Sequence, residues 1–207
     1  MPMTEDQVER FAIRELLENW AVWRDATHWD RFRTVWHPEG QMWATWFQGT
    51  YEEFIAANQA GFAKGVRILH FMGGSSIDLA MDNKPHARAI AQSKMTINQR
   101  AMVHDVEVDV LCTGRFYDFL EKRDGKWGFV LRRLIYEKDR MDPVDPSQTL
   151  KLDRDLLMKL PIGYRYLGYL QATYGYPIKP DMPGLTGPDV DLLYAKGKGW
   201  LEGKPAL

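Results

Sequence analysis

Residues 87–97 read Ala87-Arg88-Ala89-Ile90-Ala91-Gln92-Ser93-Lys94-Met95-Thr96-Ile97, and every second position, from Ala87 through Ser93 and Met95 to Ile97, carries a small or apolar side chain. A period of two is the mark of a strand buried on one face. The same alternation holds over residues 106–120. Asp124-Gly125, a pair suited to a type I′ turn because both turn positions need positive φ, then turns the chain into a further strand over 127–138. On the N-terminal side, residues 66–71 and 76–81 read as strand, with Gly73-Gly74 between them as a bulge or bend and Asp82-Asn83-Lys84-Pro85 as the following turn.

Before Val66 the period is helical. Thr4-Glu5-Asp6-Gln7 has the form of a capping box, so a helix is expected from there to Asp25 or Ala26, with Val8, Phe11, Ala12, Glu15, Leu16, Asn19, Trp20 and Trp23 at three- and four-residue spacing. A second helix over 29–36 is expected to stop at His37-Pro38-Glu39-Gly40. A strand over 42–47, a turn at Gly49 and a third helix over 51–63 closed by Lys64-Gly65 complete this part. Three helices followed by a curled antiparallel sheet make an α+β domain over residues 1–142. Past Asp142-Pro143-Val144-Asp145-Pro146 the composition shifts. Residues 143–207 form an extension with two helix-like stretches, 153–160 (reaching toward 174) and 188–201. It has too few apolar residues for a core of its own, so it is expected to wrap the domain or a neighbouring subunit.

The chain has 207 residues, 27 Lys+Arg against 28 Asp+Glu, and a formal charge of −1, so no global charge draws it to nucleic acid or an anionic membrane. A single cysteine, Cys112, excludes a disulfide framework and suits a reducing compartment, most simply the cytoplasm. The acidic N-terminus lacks a signal-peptide pattern, and no apolar run approaches the ~20 residues of a membrane helix. Five histidines without paired spacing, and no nucleotide-binding or hydrolase motif, give no signal for a metal or a cofactor. Six of the eight tryptophans (20, 23, 29, 36, 43 and 46) fall in one N-terminal stretch.

In their order, Trp20-Ala21-Val22-Trp23-Arg24-Asp25, Trp29-Asp30-Arg31-Phe32, Leu69-His70-Phe71-Met72, Gly114-Arg115-Phe116-Tyr117-Asp118 and Asp124-Gly125-Lys126-Trp127 through Arg132-Arg133 resemble the SnoaL-like branch of the nuclear-transport-factor-2-like superfamily. The likeness covers about residues 4–140. It implies a cone: a curved sheet whose concave face, closed by the N-terminal helices, encloses one pocket.

In the dehydratase and dehydrochlorinase members, an Asp at the end of the first helix pairs with a His on the strand after the third. Asp25 and His70 stand at those places. A carboxylate on one imidazole nitrogen fixes tautomer and orientation, leaving the other nitrogen as a general base. The resemblance also gives Arg132 the stabilisation of a leaving group or oxyanion, against the alternative of a cross-strand ion pair with Asp118. Trp20, Trp23, Trp43, Tyr51, Ser93, Phe116 and Asp118 are the candidate substrate-binding residues, with ordinary core packing as the alternative for the apolar ones. His104, near a strand turn, does not match the second pocket histidine of scytalone dehydratase.

The implied activity is that of a cofactor-independent lyase. It would eliminate water, halide or a one-carbon aldehyde from a small hydrophobic substrate, and the tryptophans point to an aromatic or polycyclic one. The alternatives are an isomerase or cyclase using the same base, or a non-catalytic ligand-binding or dioxygenase β-subunit-like protein. Relatives with this dyad tend to be trimers, so a homotrimer is expected, with a dimer as the alternative.

Overall fold

The structure, a computed structural model, describes residues 2–82 and 86–207. The last three positions of the turn expected at Asp82-Asn83-Lys84-Pro85 lie outside the described residues. Helix α1 (Glu5–Asp25) opens with both bonds of the capping box: the Gln7 amide donates to the Thr4 hydroxyl, and the Thr4 amide to the Gln7 side chain. Its buried face runs Glu9, Ile13, Leu17, Trp20, Ala21, Arg24, one residue round from the row inferred from apolar spacing. Val8 and Phe11 are exposed and Trp23 is only half-buried. The physical reason is that two charged residues belong to the inward face. Glu9 is neutralised there by Lys122 (2.6 Å) and the Trp127 indole N–H (2.6 Å), and Arg24 by the network described below.

Helix α2 is shorter than expected, Trp29–Arg33, because strand β1 (Trp36–Trp43) begins where its last turn was placed. Val35 carbonyl accepts from Phe129, and Trp36 pairs with Phe129. His37-Pro38-Glu39-Gly40 is therefore a bulge within β1, where the register shifts between Trp36 and Gln41. A side chain at Gly40 would meet the His37 and Phe129 carbonyls at 2.9 and 3.0 Å. Strand β2 (Gln48–Thr50) takes in Gly49 and leads into α3 (Tyr51–Ala63), which ends with Gly65 at φ +86°.

Four long strands follow: β3 (Ile68–Ala80), β4 (Arg88–Val103), β5 (Val106–Arg123) and β6 (Lys126–Pro143). They form one sheet in the order β2-β1-β6-β5-β4-β3, antiparallel throughout except where β1 runs parallel to β6. The register of β3 shifts between Met72 and Ser75, at the two glycines. Asp124 (φ +49°) and Gly125 (φ +79°) make the expected tight hairpin. The sheet is a curved, open, mixed sheet, and α1, α2 and α3 pack on its concave side, where Ala89, Ala91, Met95 and Ile97 of β4 join the main core.

The extension touches both faces of the sheet. A 3-10 turn (Ile162–Tyr164) and α5 (Arg165–Thr173) put Tyr164, Leu167 and Leu170 into the concave core, and the Tyr164 and Tyr136 rings meet at 4.9 Å. Helix α4 (Arg154–Met158) precedes them and has no buried residue. Helix α6 (Pro188–Leu201) covers the convex face, burying Val190, Leu193 and Trp200 against Ile90, Tyr117, Phe119, Leu131 and Ile135. Each large apolar side chain so buried contributes roughly 1.5–3 kcal/mol.

Helix α5 lacks a side-chain cap of its own, and Asp139 of β6 supplies it, accepting from the Leu167 amide at 2.7 Å. Burial raises the Asp139 carboxyl to about 6 in spite of these amide bonds. A carboxyl raised in the folded state binds more protons there than in the unfolded chain, so its contribution to stability is lost as pH climbs from about 4 through 6. Asp139→Asn should remove that loss. Between pH 4 and 6 the melting temperature of the wild type is expected to fall relative to the variant, and parallel curves would refute the assignment.

Candidate active site

The last residue of α1 and the third residue of β3 meet inside the concave face. Asp25 Oδ2 accepts from the backbone amide of His70 at 2.5 Å, and Oδ1 from His70 Nδ1 at 2.9 Å. Arg24 completes the group. It is 2% exposed, and its guanidinium donates to Asp25 Oδ1 (3.1 Å), to the Ile68 carbonyl (2.8 Å) and to Asn58 Oδ1 of α3 (2.5 Å). One cation thereby joins α1, β3 and α3.

Burial alone would raise the Asp25 carboxyl, but the bonds from His70 and the charge of Arg24 outweigh it and hold the group below the ordinary carboxylate range. His70 is pulled below the usual histidine value, first by burial and then by the Arg24 and Arg132 guanidiniums, against the opposing effect of Asp25. The resulting state is a neutral imidazole beside a carboxylate. Because the carboxylate can only accept, the proton sits on Nδ1, and Nε2 keeps its lone pair. Among the described residues nothing hydrogen-bonds to Nε2.

The His70 side chain, 8% exposed, lines an inner chamber with Trp20, Phe54, Trp46, Leu134 and Tyr136. The Trp20 ring meets His70 edge-on at 5.3 Å and Phe116 at 5.1 Å, and its buried N–H has no partner. At the chamber's polar wall, the Thr45 hydroxyl donates to Gln171 Oε1 (2.7 Å), and the Thr45 amide to the Tyr136 hydroxyl (3.3 Å).

Arg132 and Asp118 stand opposite one another on β6 and β5, both fully buried, with two bonds of 2.7 Å between them. The guanidinium lies 4.1–4.4 Å from the centres of the Phe116, Trp20 and Phe129 rings, and Nη1 is unpartnered. The cross-strand pair therefore exists, and Arg132 acts on His70 through its charge. Asp118 is not free for a substrate, since both its oxygens bind Arg132.

Of the other candidates, Trp20 lines the chamber, and Phe116 packs behind it against His70 at 6.1 Å. Ser93 is buried on the same sheet face, paired with Phe116, its hydroxyl unpartnered. Trp43 is a correction: it belongs to the convex cluster, under Arg133 at 4.8 Å, because strand alternation sends it to the face opposite Met42. Tyr51 is another, stacked on Trp36 at 5.8 Å and absent from the chamber wall. Trp23 flanks the buried stripe and does not line the chamber. His104 sits in the β4–β5 turn at φ +48°, bonded to the Tyr169 hydroxyl (2.7 Å).

Sequence reasoning missed Arg24, Thr45, Asn58, Tyr136 and Gln171 as parts of this site, whereas Trp46 belongs to the tryptophan group it pointed to. For Arg24 a signal was present, because it lies four residues after Trp20 and seven after Leu17, on the same helical stripe. Among the described residues, no three His, Cys, Asp or Glu side chains gather as a metal would require, and no helix is long and apolar enough to cross a membrane.

Arg132→Met should cost about 3–5 kcal/mol by leaving the Asp118 charge buried and unpaired, whereas adding Asp118→Leu should restore most of it. Urea unfolding of the two single variants and the double variant measures this, and additive losses would show that the two residues do not act as a pair.

Residues 8–133 match the model of the SnoaL-like domain. Pea pathogenicity protein 2 of Fusarium vanettenii is 40% identical over 206 residues, covering 95% of this chain and 87% of that protein. Among solved structures, a putative scytalone dehydratase from Novosphingobium aromaticivorans superposes with a TM-score of 0.55 at 17% identity, over 70% of this chain and 97% of that one. LinA does so with 0.55 at 13% identity, over 70% and 95%. At such identities the superpositions speak for the fold alone, and they agree with the cone built here from three helices and an open mixed sheet. With the domain match covering more than half its length, the chain belongs to the SnoaL-like domain family of the NTF2-like superfamily.

Proposed function

We propose that this protein is a lyase that needs no cofactor and removes a small group from a hydrophobic, aromatic substrate held against His70. The observation that carries the reading is the 2.9 Å bond between His70 Nδ1 and a carboxylate on a ring whose Nε2 is left without a partner at a chamber wall. Nε2 takes the proton as a C–H bond breaks, the bonding pair becomes a double bond, and the leaving group departs with its own pair. Asp25 holds the ring in the one tautomer that permits this and stabilises the imidazolium that forms. The unpartnered Trp20 Nε1 on the chamber wall suits negative charge growing on substrate oxygen or on a leaving group, while Arg132, absent from that wall and packed against the Trp20, Phe116 and Phe129 rings, contributes through its charge. Two structural relatives of the fold are named as a putative scytalone dehydratase and as LinA, which accords with elimination chemistry.

The aromatic walls, Trp20, Trp46 and Phe54, favour a flat apolar ligand. Leu69 and Phe71, 60% and 74% exposed on the edge strand β3, accord with self-association of the kind expected for a homotrimer.

A second reading rests on the other bond of the pair. Because Asp25 Oδ2 binds the His70 amide, the two residues also tie α1 to β3, which a purely ligand-binding protein would use equally well. Incubation of the protein with a panel of hydroxylated and halogenated aromatic compounds, read by mass spectrometry, separates the two. The expected result is loss of a fragment by the wild type and a fall of at least ~10³-fold in rate for His70→Ala and for Asp25→Asn, each still folded. The rate should fall on the acid side only below the ordinary histidine value of about 6.5, because the folded protein holds His70 in its neutral form. Binding without any mass change across the panel would favour the second reading.

A further inference from the structure

Beside the inner chamber lies an outer one, between α3 and α5, and the two share Arg24, Trp46, Ile68 and Gln171 as walls. Most of its lining is apolar or aromatic, including Phe62, Val66, Leu170 and the tyrosines 174 and 176. Two buried polar atoms break that pattern. Gln99 follows Met95 and Ile97 on the inward row of β4. It is 6% exposed, and its Oε1 has no hydrogen-bond partner. Arg24 spends its two terminal nitrogens on Asp25, Ile68 and Asn58, yet its Nε–H, equally buried, has none. Buried polar groups in folded proteins are almost always satisfied, so an orphaned acceptor and an orphaned donor on one cavity wall mark a place where a ligand completes the bonding.

We propose that the outer chamber is a second part of the binding site and holds a hydroxylated end of the substrate, which is therefore an elongated molecule reaching from His70 to Gln99. A hydroxyl is the group that answers both orphans, since it accepts from the Arg24 Nε–H and donates to Gln99 Oε1. A carbonyl answers only Arg24, and an amine only Gln99. A carboxylate is disfavoured because Arg24 already balances Asp25 and the Gln99 oxygen repels it. The chamber also owes part of its wall to α5, which lies beyond residues 8–133 where the family domain matches. The match to the Fusarium protein leaves out only a twentieth of this chain, so it includes most of the extension. The extension thus adds one side of the outer chamber to the family domain, in keeping with a role in choosing the substrate. Which end of the ligand reacts rests on the reading of His70 as the base; recognition of the hydroxyl at Gln99 does not.

Calorimetric titration with biphenyl, 4-hydroxybiphenyl and phenol tests this without turnover. The wild type is expected to hold 4-hydroxybiphenyl about tenfold more tightly than biphenyl, equivalent to about 1.4 kcal/mol. Gln99→Leu, similar in size, should erase that preference, and His70→Ala should keep it. Ala57→Phe, which narrows the outer chamber from α3, should weaken the two-ring probes and also phenol, whose hydroxyl seats at Gln99, and it serves equally if Gln99→Leu does not fold. The proposal is overturned if the wild type shows no preference, which would mean that water serves Gln99 and Arg24, or if the preference survives Gln99→Leu. It is also overturned if His70→Ala abolishes the preference, which would put the hydroxyl in the inner chamber, or if Ala57→Phe binds all three probes as the wild type does. Failure of the catalytic reading looks different: turnover would survive His70→Ala whatever the probes show.

Discussion

A guanidinium with almost no access to water governs the inner side of this fold. Arg24 is held in place by a carboxylate, a strand carbonyl and a side-chain amide from α3, so three elements distant in sequence converge on one charge. Removing such a cation from water is expensive, and the cost is recovered only if its partners are well placed. That requirement fixes the approach of α1 to β3 more tightly than apolar contact would, because carboxylate and guanidinium bonds are directional. Asp25 then has one oxygen for the His70 backbone and one for its ring, and the imidazole is oriented as a by-product of holding the helix to the sheet.

The same charge also sets the electrostatics of the site. Arg24 and Arg132 both face His70 and disfavour its protonated form, while Asp25 favours it. The balance leaves a neutral ring that has a carboxylate ready to stabilise it once it gains a proton. Arg132 contributes without leaving its pair with Asp118, sandwiched among Trp20, Phe116 and Phe129. Aromatic faces accept a cation at modest cost, so this part of the core is rich in rings and still carries charge.

The elements that depend on short-range chemistry were legible in the sequence. The capping box at Thr4, the Asp124-Gly125 turn and the alternation along β4 act over a few residues, and they appear where their residues predict. What failed to show was decided by contacts across the fold. The face of α1 was read one residue off because apolar spacing treats Glu9 and Arg24 as outward-facing, whereas Lys122, Trp127 and Asn58 make their burial possible. Trp36 and Gly40 read as the end of a helix because the pairing of β1 with β6, about ninety residues away in the chain, cannot be seen locally. Asp25 and His70 became candidates only through a family resemblance. Nothing within either segment says that the two touch, and still less that Gln99 and Gln171 stand nearby.

The tryptophans show how one composition can serve two purposes. Trp43 belongs to the convex cluster, and Trp36 to a stack with Tyr51 that fills space between α3 and the sheet, so the excess is partly structural. Trp20 and Trp46 differ in where their edges lie. Trp20 is wholly buried, yet its N–H is unsatisfied and its ring borders His70; Trp46 stands in the wall common to both chambers and meets Tyr176 of the extension at 5.3 Å. A phenylalanine there would strand no N–H but would leave the space of the second indole ring unfilled. Trp36 Nε1 is likewise buried without a partner although its ring stacks in the core, so an unmet indole donor gains meaning only from a place on a chamber wall, which Trp20 has, as do Gln99 and Arg24 in the adjoining chamber.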